Sequence, residues 1–155
     1  MKKVRIFIRT STKNLRKAEG EGIYLLEYIK DGAEPVTTHR IYRYEETWLM
    51  AELILLTGAL RMMREKCSIE VFTDCRQIRG TMELFPMWKA AGWKYKGGQE
   101  VPEIYRELAE LTEGHEITII SERHEYSTWM ETELKRAKEE RACMRDLESL
   151  LPGKK

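Results

Sequence analysis

Apolar side chains recur at the two-residue spacing of a strand in three stretches at the start of the chain. Lys3 to Thr10 carries Val4, Ile6 and Ile8 with Phe7 between them, which predicts a strand apolar on both faces at its centre. Residues 11–21 are polar and lead into Glu19-Gly20-Glu21-Gly22, which reads as a loop. Gly22 to Ile29 reads as a second strand, Asp31-Gly32 as a turn, and Val36 to Tyr44 as a third strand that alternates less cleanly. Three strands with short links predict an antiparallel meander.

The period then changes. Leu49, Leu53, Leu56, Leu60 and Met63 follow the 4, 3, 4, 3 spacing of a helix with a buried apolar face. Ser68 to Thr73 reads as a short strand. Arg76 to Ala91 reads as a helix interrupted near Pro86, which has no N–H to give to a helix interior. A Gly- and Lys-rich loop from Gly92 to Val101 leads to a helix over Glu103 to Leu111 and a fifth strand over Glu116 to Ser121. Thr128 to Leu150 reads as one long amphipathic helix, followed by a frayed tail over Pro152 to Lys155. The order β-β-β-α-β-α-α-β-α predicts an α/β fold. Its mixed five-stranded sheet has the meander on one side and parallel strands on the other, flanked by helices. Residues 1–155 contain no internal repeat or linker, so a single domain is expected.

Composition narrows the class. The 155 residues are 42% hydrophobic and 34% charged, as in ordinary globular chains. No run of about 18 apolar residues predicts a membrane span. Met1-Lys2-Lys3 leads into a strand and not into a signal-peptide core, so a cytoplasmic protein without membrane contact is expected. Cys67, Cys75 and Cys143 are odd in number and widely spaced, which fits buried or free thiols and neither a zinc site nor a disulfide framework. The net charge of +1 says nothing of partners, but its distribution does. Lys2, Lys3, Arg5, Arg9, Lys13, Arg16 and Lys17 precede the first acid, Glu19, while acids gather in the last third. Such a segment is either a nucleic-acid face or a solvated basic edge.

Several motifs in register carry a resemblance. Glu52-Leu-Ile-Leu-Leu-Thr-Gly-Ala-Leu is followed by Lys66-Cys67 and then by Val71-Phe72-Thr73-Asp74-Cys75. Downstream come Trp88-Lys89-x-x-Gly92-Trp93-Lys94, Ile104-Tyr105-x-x-Leu108, and Arg123-His124 before the last helix. Over about residues 2 to 137 this pattern resembles type 1 ribonuclease H. The resemblance implies a ribonuclease H-like fold and hydrolysis of the RNA strand of RNA–DNA hybrids with two divalent ions, Mg or Mn. Two such ions, roughly 3.5–4 Å apart, clamp the attacking water and the leaving oxygen, and they need clustered carboxylates.

By the resemblance, Asp74 is the foremost metal-ligand position, with helix capping as the alternative reading. Glu52 is a second, and reads equally as a residue at the edge of its apolar stripe reaching solvent. His124 matches a loop histidine that assists proton transfer, although a lone loop histidine is more often simply exposed. Two acids are missing. The first strand carries Arg9, and the last helix carries Thr132 at the matching position. Glu131 and Glu133 are each turned about 100° away from it. A fixed cation about 4 Å from a divalent ion repels it by roughly 8 kcal/mol at an effective dielectric near 20. Arg9 is therefore expected to pair with Asp74, with Glu52 as a further partner, and to stand in for the metal.

The features that would read substrate are altered too. Thr10 to Ala18 replaces the family's Gly-rich run, and Trp48 and Leu49 replace its Asn pair, which puts recognition of a ribose 2′-OH there in doubt. Lys13, Arg16, Lys17, Arg76, Lys89, Lys94 and Lys96 are the candidate nucleic-acid contacts. Trp88 and Trp93 read as core anchors ahead of base contacts. Two functions follow. One is a ribonuclease H-like protein acting on RNA–DNA hybrid or another duplex, with hydrolysis weak or lost. The other is an inactive protein-interaction module that docks a partner through a C-terminal helix extension over about residues 138–151.

Overall fold

The computed structural model describes residues 1–29, 32–140 and 145–153. Asp31, Cys143, Lys154 and Lys155 lie outside the described residues, and so do the readings that fell on them. Strands β1 (Lys2–Thr10), β2 (Ala18–Ile29) and β3 (Val36–Glu46) form the antiparallel meander. Helix α1 (Trp48–Leu60) leads to β4 (Cys67–Phe72), which pairs in parallel with β1. Helices α2 (Gln77–Glu83), α3 (Phe85–Ala90) and α4 (Glu103–Thr112) precede β5 (Glu116–Ile120), parallel to β4. Helix α5 (Ser127–Glu140) lies on the opposite face from α1, and β6 (Arg145–Asp146) pairs in parallel with β3. The sheet order is β5-β4-β1-β2-β3-β6.

Alternation along β1 divides the core. Val4, Ile6 and Ile8 face α1 in the larger apolar cluster, and Phe7 faces α5 in the smaller one with Ile23, Leu25, Phe72, Met130 and Leu134. Trp88 is buried, and Trp93 packs against the larger cluster, as core anchors do. Pro86 sits in the first turn of α3, where its missing N–H is harmless, and the helical stretch breaks before it at Leu84.

Four expectations need correction. Residues 18–21 are strand and not loop, paired with Glu46 to Arg43. Their glycines belong to the sheet: a Cβ on Gly20 would lie 2.5 Å from the Tyr44 hydroxyl, and one on Gly22 would lie 2.7 Å from a Leu55 methyl. Helix α1 is buried on every side from Ala51 to Leu60, because sheet, α4 and the C-terminal segment enclose it. The sheet has six strands and not five. The predicted helix to Leu150 is not continuous either: β6 and a 3-10 helix, Leu147–Leu150, carry the chain onto the α1 side. Leu147 is buried there, Leu150 packs beside Gly58, and Leu151 packs on the same core. Leu147, Leu150 and Leu151 are thus used by the fold itself and, among the described residues, form no free helical face for a partner.

Candidate functional site

The strongest charge cluster lies at the C-terminal ends of β1 and β4, the end at which open α/β sheets place their sites. Phe7 pairs with Phe72, so two residues further along each strand Arg9 comes level with Asp74. Arg9 also shares the parity of Phe7, which turns it to the α5 face. There its guanidinium meets two carboxylates: one terminal nitrogen is 3.5 Å from Asp74 Oδ2 and the other 2.8 Å from Glu131 Oε1. Lys13 Nζ donates to the same Asp74 oxygen at 3.2 Å, and Arg123 reaches the same Glu131 oxygen at 3.1 Å.

Helix α1 brings Glu52 to this end from the other face. Its N-terminus is fixed by Thr47, whose hydroxyl accepts the Met50 N–H at 3.2 Å, and by the Trp48 N–H donating to the Asn14 carbonyl at 2.9 Å. Thr47→Ala is expected to cost about 1 kcal/mol of stability, read from chemical denaturation. Glu52 is 1% exposed. Its Oε1 accepts the Thr73 hydroxyl at 2.9 Å, and that hydroxyl in turn accepts the Cys75 N–H at 3.0 Å. Among the described residues its Oε2 makes no well-aligned hydrogen bond, and the buried Trp48 Nε1, one helical turn earlier, is a donor close enough to favour the ionised form. Burial pushes the Glu52 carboxyl up to about 7; the Thr73 hydrogen bond opposes the shift and the Asp74 charge adds to it. Thr73-Asp74-Cys75 is therefore a divided motif: Thr73 points inward to Glu52, and Asp74 outward to the cations. Capping does not explain Asp74, because Arg76 occupies the N-cap position of α2, which has no side-chain cap hydrogen bond.

His124 rests on Phe7, 4.3 Å between ring centroids, and on Phe72 at 5.4 Å. Its Nδ1 accepts the Tyr126 N–H at 3.2 Å, which leaves the proton on Nε2. Burial, with Arg5 and Arg9 nearby, pushes its pKa down to about 4. The imidazole is neutral at pH 7 and poorly matched to proton transfer there. The loop that carries it is tied to the sheet through Glu27, a 3% exposed carboxylate that accepts Arg5 Nε at 2.8 Å and the Tyr126 hydroxyl.

Arg9 lies beside Asp74, the pairing expected from the sequence, at 3.5 Å. Arg9 does not reach Glu52, because the two approach from opposite faces of the sheet; its second partner is Glu131. Thr132, the position that the resemblance matches to the fourth acid, is exposed and donates to the Thr128 carbonyl at 3.0 Å. The overlooked signal is the spacing of Ser127, Met130 and Leu134, all buried, which puts Glu131 on the sheet-facing side.

The cationic candidates separate. Lys13, Arg16 and Lys17 lie on the segment joining β1 to β2, and Arg76 is two residues past Asp74, so all four sit at the site end and are exposed. Lys89 instead pairs with Glu113 at 3.3 Å, and the Glu113 carbonyl accepts Lys66 just before β4 begins. It thus lies near the opposite end of β4, a strand about 20 Å long. Lys94 and Lys96 are exposed on a tight turn after α3, where Lys94 bridges Glu100.

The residues present do not fit a pair of divalent ions. Asp74 and Glu131 are neutralised by Arg9, Lys13 and Arg123, and Glu52 is held in a site that favours its protonated form. Among the described residues no group of three or more His, Cys, Asp or Glu is arranged to hold a metal ion.

Comparison with known proteins gives a consistent relationship. A ribonuclease H of Cupriavidus pinatubonensis is 34% identical over 70 residues, 43% of this chain and 48% of the relative. A ribonuclease H of Cupriavidus necator is 31% identical over 90 residues, 56% of each chain. The chain thus spans about half the length of the curated relatives it matches. No family model matches it. Among solved structures, LC9-RNase H1, a type 1 RNase H with the type 2 active-site motif, superposes with a TM-score of 0.61 at 17% identity, over 88% of this chain and 70% of that one. A foamy viral protease-reverse transcriptase in complex with dsDNA superposes with a TM-score of 0.60 at 8% identity, over 87% and 92%.

Proposed function

We propose that this chain, which is similar to ribonuclease H in sequence and shares its fold, binds the backbone of an RNA–DNA hybrid or a related duplex and does not hydrolyse it through divalent metals. One observation carries this reading: a guanidinium joins the two outer carboxylates where the resemblance calls for metal. Arg9 is covalently fixed to β1, and a divalent ion entering beside it meets repulsion that these partly neutralised carboxylates do not offset. The exposed Lys13, Arg16, Lys17 and Arg76 surround that point with the charge that phosphate contacts require. The relatives named ribonuclease H and the neighbour in complex with dsDNA support nucleic acid as the partner class.

The test is cleavage of an end-labelled RNA–DNA hybrid with magnesium and with manganese, beside binding of the same hybrid at several salt concentrations. The expected result is salt-sensitive binding without cleavage in either metal. Cleavage that disappears in Asp74→Asn would overturn the non-hydrolytic part of the proposal. Absence of binding even at low salt would overturn the rest.

A further inference from the structure

Resting on the nucleic-acid reading above, we infer that Arg9, Lys13 and Arg123 form a metal-independent site for a phosphodiester group. Asp74 and Glu131 are its internal stand-ins, carboxylates that hold the cations in place until phosphate oxygens replace them.

The charges are unequal. Three cations converge on two carboxylates, with Arg9 shared between them, Lys13 on Asp74 and Arg123 on Glu131. One positive charge is in surplus at this point. The two terminal nitrogens of Arg9 point to two different carboxylates, so a phosphate that displaced them could take both N–H donors of the guanidinium fork. The hold on Asp74 is loose, since the Arg9 contact is 3.5 Å long and shares Oδ2 with Lys13.

Access from solvent is direct. The side chains of Asp74 and Glu131 are 41% exposed, Lys13 is 53% exposed and Arg123 66%. Arg9 itself is 22% exposed, but its partners and the other two cations are open to water, and ion pairs of that exposure hold weakly, so their exchange for phosphate oxygens is a small change. Lys13 Nζ also lies 5.6 Å from the centroid of the Trp48 ring, an aromatic face beside the phosphate position. A polynucleotide fits better than a free phosphate, because Arg16, Lys17 and Arg76 extend the positive charge along the same end.

The experiment measures binding of a short fluorescent RNA–DNA hybrid in EDTA to the wild type, Asp74→Asn, Glu131→Gln and Arg9→Gln. Asp74→Asn and Glu131→Gln are expected to bind tighter by about threefold each, with a steeper salt dependence, and Arg9→Gln weaker. Equal or weaker binding by Asp74→Asn and Glu131→Gln overturns this inference and leaves the nucleic-acid reading standing. No binding by any of the four at low salt overturns both. An affinity for a mononucleotide equal to that for the hybrid overturns the polynucleotide assignment. Thermal unfolding of each variant checks the fold, which the isosteric changes at the exposed Asp74 and Glu131 leave intact.

Discussion

Arg9→Asp is expected to convert the site into one that binds a divalent cation. Asp74 and Glu131 already converge there, with Glu52 behind them on the other face, joined to Asp74 through Thr73. The substitution changes the local charge by two units and removes the guanidinium that neutralises both outer carboxylates. The repulsion it relieves is roughly 8 kcal/mol for a dication about 4 Å away at an effective dielectric near 20, far larger than any other change at this site. Lys13 remains on Asp74, but its side chain is 53% exposed and flexible enough to swing into solvent. Thermal unfolding with and without manganese reads the outcome. Metal at a hundred times its dissociation constant adds about 2.7 kcal/mol to the folded state of a binding protein. The wild type is expected to show no such gain. If Arg9→Asp shows none either, the block to metal binding is not confined to Arg9.

The strands and helices at the centre of the fold were legible because their apolar periods match their surroundings. β1 is buried on both faces and reads as a continuous apolar run, and Thr73-Asp74 ends a strand whose register with β1 makes Arg9 and Asp74 level. The rest depended on contacts distant in sequence. Gly20 and Gly22 look like loop residues until Tyr44 and Leu55 are seen to occupy the space their missing side chains leave. Glu131 stands one position before Thr132, the residue the resemblance matches, and only the burial of Ser127, Met130 and Leu134 shows that it faces the sheet. Arg9 meets Glu131 and not Glu52 because Phe7 and Arg9 face α5, whereas Glu52 arrives from α1. The apolar residues at 147, 150 and 151 suit a helix as well as the 3-10 turn they form. Only the pairing of β6 with β3 decides between them.

Glu52→Gln is expected to stabilise the protein above pH 7 and to change its stability little at low pH. The Glu52 carboxyl is raised from 4.5 to about 7, chiefly by burial. Between these values the folded chain keeps a proton that the unfolded chain has released, so stability falls as pH rises through this window. The contribution is fully present below 4.5 and lost above about 7. Its size is about 3 kcal/mol, from 1.36 kcal/mol for each pKa unit. No discount for solvent applies, because the residue is 1% exposed. Glutamine keeps the shape, can still accept the Thr73 hydroxyl, and cannot ionise. Other carboxylates titrate at acidic pH as well, so the informative quantity is the difference between the two proteins in urea denaturation at each pH. That difference is expected to grow from near zero below pH 4.5 to about 3 kcal/mol at pH 8 in favour of Glu52→Gln. A difference that stays flat across this range would mean that Glu52 is ionised in the folded protein, with the Thr73 and Trp48 donors outweighing its burial.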